Sequence, residues 1–393
     1  MPSDDYPRAA VLAISVFVLV AFGVTLYAMS VLLTSGAAGS EFSITLLSAA
    51  FGGSAVVAGL LAPRVGRHAD DHSVRGITLL GGALGGLAMF VFAASREPWQ
   101  VLAAFWLLLG PAAAMSLYEP AYVALGQWVS QSRRNRSIAI LSVVAGLAGP
   151  IFVPLTGIAL DNFTWRTTAV LLGLTYLGAG VVASLLYPRY KPSDSADHDV
   201  AEVRWVRFIA DRRLFYLTLG IVLSFAAMNS VFFHRVAVFE EQGFAVTTVA
   251  ILAGISGLLT FPGRYWMPLA AERIAGTTLF GIACTGIVVS LLFAAIGSPA
   301  FVMIAFFVLF GIFFGILIPT RAVIMDGWYA GTDYGAVMGK QWAVAAVVGG
   351  VTPLLVGAAR DVLGSYTWPI IALAAMVALA VVFTELAARS NTA

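Results

Sequence analysis

Twelve long apolar stretches, each parted from the next by a short polar connection, leave this chain few folds to choose from. They cover residues 9–34, 42–63, 76–95, 99–129, 137–160, 166–187, 214–239, 246–270, 275–297, 299–325, 335–359 and 366–388. A helix rises about 1.5 Å per residue, so about 20 apolar residues cross the roughly 30 Å hydrocarbon layer of a bilayer. In lipid the backbone has no water to bond, and a helix satisfies its own N–H and C=O groups. The sequence therefore predicts an all-α integral membrane protein of twelve transmembrane helices. Composition agrees, because 60% of the 393 residues are hydrophobic and 11% charged, whereas soluble domains run at about half and a quarter. The first stretch exceeds a signal-peptide core and has no convincing cleavage site, so it is expected to stay as span one. No polar segment has room for an ATPase domain, and no GxxxxGK[ST] phosphate loop occurs. Any work is expected to draw on an ion or substrate gradient.

Charge placement orients the spans. Alternate connections put Arg64, Arg67, Arg75, Arg133, Arg134, Arg136, Arg189, Lys191, Arg204, Arg207, Arg212, Arg213 and Arg273 on one side, and Arg96, Arg166 and Arg360 on the other. The positive-inside rule makes the basic side cytoplasmic. Both termini are then cytoplasmic, and the expected location is the cytoplasmic (inner) membrane. Because topology accounts for these basic residues, no nucleic-acid partner is expected. The single cysteine, Cys284, lies in an apolar run and builds neither a disulfide nor a metal site. No cofactor or metal is expected.

The longest polar connection, 188–213, divides the chain into an N-terminal half (1–187), a cytoplasmic linker and a C-terminal half (214–393). The halves repeat one another. Pro154, Gly157, Asp161 and Trp165 recur as Pro353, Gly357, Asp361 and Trp368, about two hundred residues on. A similar offset relates Gly110 and Trp128 to Gly311 and Trp328, and Gly59-Leu-Leu to Gly257-Leu-Leu. Two parallel six-helix repeats with a site between them near the membrane midplane describe the major facilitator arrangement, and the sequence resembles that superfamily over nearly its whole length. The family's loop between spans two and three usually reads Gly-x-x-x-Asp-Arg-x-Gly-Arg-Lys. Here it reads Gly59-Leu-Leu-Ala-Pro63-Arg64-Val-Gly66-Arg67-His68, with proline at the acidic position and Asp70 and Asp71 close behind. The resemblance implies a cytoplasmic gate at Arg64, Arg67 and Asp70. Within the superfamily the chain is similar to bacterial monocarboxylate-porter-like members. The likeness rests on Gly257-Leu-Leu-Thr-Phe-Pro262-Gly263-Arg264, on the pattern Tyr334-Gly335 to Gly339, Pro353, Gly357, Asp361 and Gly364-Ser-Tyr366, and on His234 shortly before Glu241-Gln-Gly243.

Ionisable residues inside a bilayer are functional candidates by default. In span four, Tyr118-Glu119-Pro120 sets a carboxyl beside a proline that removes a backbone donor and disturbs the preceding turn, opening a place for substrate or water. Glu119 is a candidate proton carrier or a structural ion-pair partner, and Tyr118 a candidate substrate contact. Arg264 in span eight keeps its charge and offers a fork that grips a carboxylate with two hydrogen bonds; its bland alternative is an anchor snorkelling to the surface. Arg321, in Pro319-Thr320-Arg321 of span ten, sits near the repeat position of Glu119 and is expected either to bind substrate with Arg264 or to pair with Glu119 as a charge gate. Asp326 and Lys340 are expected in packing or gating. His234 titrates in a useful range and is expected as an external proton sensor, or as part of a self-satisfied interfacial cluster with Arg235, Glu240 and Glu241. Asn229 is a candidate substrate contact and, with Phe232 and Phe233, a candidate lining of an outer vestibule; the alternative for such aromatics is packing. Gly146-Leu-Ala-Gly149-Pro150 in span five partly resembles the glycine-proline motif of drug exporters. The leading expectation is a proton-coupled, monomeric secondary transporter of a small organic anion working by alternating access, with membrane lipid around it. The alternative is a proton-driven exporter of hydrophobic compounds. No nucleophile-base constellation argues for an enzyme.

Overall fold

The computed structural model describes residues 7–33, 36–39, 41–71, 73–129, 131–188, 210–297, 299–329 and 334–390. Residues 189–209, most of the expected linker, lie outside that set. Among the described residues the secondary structure is helical, without strands, and twelve helices are long and apolar enough to cross a membrane. The spans, numbered in order, are Arg8–Leu32, Ile44–Ala62, Val74–Ala94, Pro98–Leu125, Ile140–Asn162, Trp165–Leu186, Arg212–Glu241, Val246–Met267, Gly276–Ile296, Ala300–Met325, Ala343–Leu363 and Thr367–Arg389. They fall into two compact units, Met1–Ala196 and Asp197–Ala393. One expected loop is not a loop. The helix of span two continues to Asp71, so Gly59 to His68 is helical throughout.

Several helices are interrupted, and three interruptions obey one rule. A proline at position n cannot donate to the carbonyl at n−4, and its ring crowds that carbonyl. Pro120, Pro150 and Pro262 each coincide with a break three residues earlier. The break before Pro120 is at Leu117, between Gly110–Ser116 and Tyr118–Trp128. Span five breaks at Leu147, between Gln131–Gly146 and Ala148–Asn162. Span eight breaks at Leu259, between Val246–Leu258 and Thr260–Ala270. Two further irregularities are π-helical turns, Gly23–Ala28 in span one and Ala104–Leu109 in span four. Such turns widen the helix by one residue and often accompany functional sites.

Pro353 breaks nothing. It lies inside the continuous helix Tyr334–Leu363, and the carbonyl it leaves without a helical donor, that of Gly349, accepts from the Asn229 side-chain amide of span seven at 2.6 Å. A neighbouring helix supplies the missing donor, one of the ways proline is tolerated in membrane spans.

Close packing repeats between the units. A Cβ on Gly110 would come within 2.9 Å of the Ser54 carbonyl oxygen, and one on Gly311 within 2.5 Å of that of Ser256. Likewise a Cβ on Gly149 would meet the Tyr27 ring and one on Gly349 the Phe225 ring, each at 2.8 Å. Only glycine allows such approaches, the means by which membrane helices gain packing.

Candidate functional site

The C-terminal unit gathers the arginines that the sequence singles out. In the second segment of span eight, Gly263 packs on the backbone of span ten, where its Cβ would lie 2.7 Å from the carbonyl carbon of Gly315 and the nitrogen of Ile316. The next residue, Arg264, is half-buried. Its Nε is buried without a hydrogen-bond partner, and its guanidinium carbon lies 5.6 Å from the Phe261 ring centre. Spans eight and ten run in the same sense. Arg321 therefore sits between four and five residues further along span ten than the level of Arg264, about 7 Å by helical rise.

Arg321 is held in place. Its Nε donates to Gln341 Oε1 at 2.9 Å. Gln341 is fully buried, and its amide nitrogen reaches Thr218 Oγ1 at 3.2 Å and the Met325 sulfur at 3.9 Å. Spans seven and ten and the helix of span eleven thus meet at one amide. Gln341 is a residue that sequence reasoning missed. A buried glutamine seven residues from Tyr334 was visible, but nothing in the sequence paired it with Arg321.

In the N-terminal unit Tyr118 stacks on Tyr122, with ring centres 5.4 Å apart and planes at 8°. Phe22 approaches it from span one at 4.9 Å. Phe22 immediately precedes the π-turn of span one, and Tyr118 immediately follows the break at Leu117. The backbone irregularities of two spans therefore converge on these rings. Glu119 follows on the same helix, but its side chain is outside the described set, as are those of Arg67, Asp70, Asp326 and Lys340. Arg64 is exposed near the end of the long helix of span two.

His234 is fully buried. Its Nε2 lies 2.9 Å from the Pro353 carbonyl oxygen and its Nδ1 3.0 Å from the Tyr366 hydroxyl. Since a carbonyl only accepts, Nε2 carries the proton, and Nδ1 accepts from tyrosine. The ring is satisfied by these two groups rather than by Arg235, Glu240 or Glu241, the partners expected from the sequence. Asn229, instead of facing a vestibule through its amide, caps Gly349 as described. Phe232 packs edge-on against Phe310 and Phe314 at 5.5 and 4.8 Å, and Phe233 is fully buried. Phe233 is core, and Phe232 is half-buried in that aromatic cluster.

The major facilitator superfamily profile matches residues 11–300. The chain belongs to the major facilitator superfamily. No curated protein matches it significantly. Among solved structures it is similar to a bacterial homologue of the human lysosomal transporter Spinster in an inward-facing, unoccupied conformation. That likeness has 14% identity and a TM-score of 0.78 and covers 98% of each chain. It is also similar to the nucleoside transporter NupG, with 13% identity and a TM-score of 0.78, covering 97% of this chain and all of that one. At such identities the likeness establishes the twelve-helix major facilitator fold.

Within this major facilitator fold each unit carries an acidic clamp that the sequence reading did not single out as a pair. After span one, Glu41 accepts from the indole nitrogen of Trp165 at 3.0 Å and from the Arg166 guanidinium, at the start of span six. Arg166 also donates to the Ser95 carbonyl at 2.9 Å. At the end of span seven, Glu241 accepts from the Tyr366 backbone N–H at 2.9 Å and from Arg360 Nε at 3.1 Å. The two acids stand two hundred residues apart. Arg166 and then Trp165, as donors, hold the Glu41 carboxyl below its usual range, and burial pushes the Tyr366 phenol up. The available signal was the repeat itself, extended from apolar and glycine positions to charges.

Proposed function

We propose that the chain is a secondary active transporter of a small organic anion, of the monocarboxylate type, coupled to protons and working by alternating access in the cytoplasmic membrane. The observation that carries this reading is Arg264, a permanently charged group whose buried Nε has no hydrogen-bond partner. A buried donor left unsatisfied costs about 1–3 kcal/mol, more for a charged group, and a bound carboxylate removes that cost with a bidentate pair. Arg321, oriented by Gln341, offers a second positive centre in the same unit. Glu119, beside the break at Leu117, is the proposed proton carrier, since a carboxyl in a poorly solvated site exchanges protons near neutral pH. His234, enclosed as it is, is assigned a proton role only through Tyr366. Arg64, Arg67, Asp70, Asp326 and Lys340 are assigned to the gate on the linker side, and 188–213 to the cytoplasmic link between halves.

Export of hydrophobic compounds is the second reading, favoured by the interruption of span five at Leu147 beside Gly149-Pro150. Proteoliposome uptake of labelled monocarboxylates, with and without an inward proton gradient, separates the two. Gradient-stimulated uptake should fall at least tenfold in Arg264→Ala and stay low in Arg264→Lys, which keeps the charge but loses the fork. Uptake of a neutral nucleoside in place of the anion, or anion uptake indifferent to Arg264, would overturn the anion reading. Gradient-driven extrusion of a hydrophobic dye without anion uptake would establish export.

A further inference from the structure

The C-terminal unit has a second feature well away from the arginines. Two adjoining cavities of about 630 and 490 Å³ share Thr285 and Glu385 and form one groove along spans nine, ten and twelve. On span nine, Thr278, Ile282, Thr285 and Val289 line it at helical spacing. Ile282, Val289 and Val382 of span twelve are 46%, 42% and 52% exposed, so the groove opens on the outside of the bundle, where lipid lies. Gly281 on span nine leaves space in its wall, since a Cβ there would meet nothing closer than Val381 at 3.8 Å.

Two opposite charges stand at one end of this trough. Glu385 lines both cavities and Arg389 the second, four residues apart on span twelve. Among the described residues, neither side chain forms an ion pair or hydrogen bond, with the other or with any neighbour. A carboxylate on a lipid-facing helix is costly unless a counter-charge meets it, and here the neighbouring Arg389 side chain does not pair with it. Side chains at i and i+4 stand about 5–6 Å apart at Cβ, close to the reach from phosphate to nitrogen in an ethanolamine headgroup. Glu385 lies about 6 Å, four residues of rise, inside the end of span twelve at Arg389, a depth that meets headgroups rather than mid-chain carbons.

We infer that this groove holds a phospholipid whose headgroup carries a primary ammonium. The ammonium donates to Glu385, the phosphate pairs with Arg389, and one acyl chain lies in the trough over Ile282, Val289 and Phe313. A trimethylated headgroup keeps the charge but has no N–H to donate, and a glycerol headgroup offers Glu385 no cation. The site is therefore selective by hydrogen bonding as well as by charge.

Native mass spectrometry of the full chain, equilibrated in detergent with phosphatidylethanolamine, phosphatidylcholine or phosphatidylglycerol of identical acyl chains, tests this. Phosphatidylethanolamine should be retained about tenfold better than phosphatidylcholine, with mono- and dimethylated headgroups falling in order between them. That series needs no mutation, so misfolding does not confuse it. Glu385→Gln should bring the two end members within twofold of each other. Arg389→Gln should weaken both equally, and Gly281→Leu, which fills the trough, should weaken every lipid. Equal retention of the ethanolamine and choline lipids by the native chain, tightest binding of phosphatidylglycerol, or a preference that survives Glu385→Gln would each overturn the assignment.

Discussion

The two units share a plan and differ in where their helices break. In the N-terminal unit span four is broken at Leu117 and span five at Leu147, while the helix of span two runs unbroken from Ile44 to Asp71. In the C-terminal unit the pattern is reversed. Span eight is broken at Leu259, while the helices of spans ten and eleven are continuous for 30 residues each. Proline placement explains part of the exchange. Pro150 has Gly350 as its repeat mate, whereas Pro262 lies one residue out of register with Pro63, which leaves the helix Ile44–Asp71 unbroken. Pro120 and Pro319 are the instructive pair, because both are prolines at matching positions and only the first breaks its helix. The turn before Pro319 is held at backbone contact by span eight, where a Cβ on Gly315 would come within 2.3 Å of the Thr260 carbonyl oxygen. Neighbours, then, decide whether a proline bends or breaks a span.

The largest expected effect comes from forcing the second unit to break like the first. Gly350→Pro should interrupt span eleven at Val347 and cost about 3 kcal/mol or more, the value for proline in a helix interior. Hydrogen exchange at Val347 and the thermal midpoint in detergent would register it. If the helix stays intact there, proline placement does not account for the difference between spans five and eleven. Next in size, Gly110→Ala and Gly311→Ala should each destabilise by about 1–3 kcal/mol through overpacking against Ser54 and Ser256. A large loss in one and none in the other would break the proposed equivalence of the units.

Asn229→Leu should cost about 1–2 kcal/mol, because it leaves the Gly349 carbonyl without a donor in a water-poor setting. In a Pro353→Ala background the helix supplies that donor itself, so the same substitution should cost much less. Additive losses in the double mutant would remove the capping account. The smallest effects belong to the clamps. Glu41→Gln and Glu241→Gln should each cost under about 1 kcal/mol, as part-exposed pairs do. Because the Glu41 carboxyl is held below its unfolded value, its contribution is present above the ordinary carboxylate range and lost as pH falls through the depressed value. Native protein and Glu41→Gln should therefore converge in thermal midpoint as the pH is lowered below 4 or so, and part again near neutrality.

Much of this fold is written in local pattern. The twelve spans follow from apolar length, and the pairing of Gly110 with Gly311 and of Pro154 with Pro353 follows from self-similarity. What stayed hidden depends on partners distant in sequence. Asn229 looked like a vestibule residue because a polar amide in an apolar run suggests a ligand; its role as a cap becomes visible only when span eleven lies beside it. His234 read as a sensor or as part of a local cluster, and the partners of its two ring nitrogens, the Pro353 carbonyl and the Tyr366 hydroxyl, lie more than a hundred residues away. Gln341 and Glu41 were overlooked for the opposite reason, since neither stands out until Arg321 and Arg166 reach them. The helical continuation through Arg64 and Gly66 was obscured by a motif usually found as a loop, although its residues permit a helix. Arg264 stood out because a charge in an apolar run is either a ligand or a snorkelling anchor.

The clamps also put a clock into biosynthesis. Glu41 meets Arg166, and Glu241 meets Tyr366, across the same gap of 125 residues. At about 5–20 residues per second of translation, each acid waits roughly 6–25 s before its partner emerges. During that interval four further spans must be laid into the membrane before Glu41 meets span six, whereas Glu241 is first claimed by Arg360 of span eleven and then by the Tyr366 N–H at the threshold of span twelve.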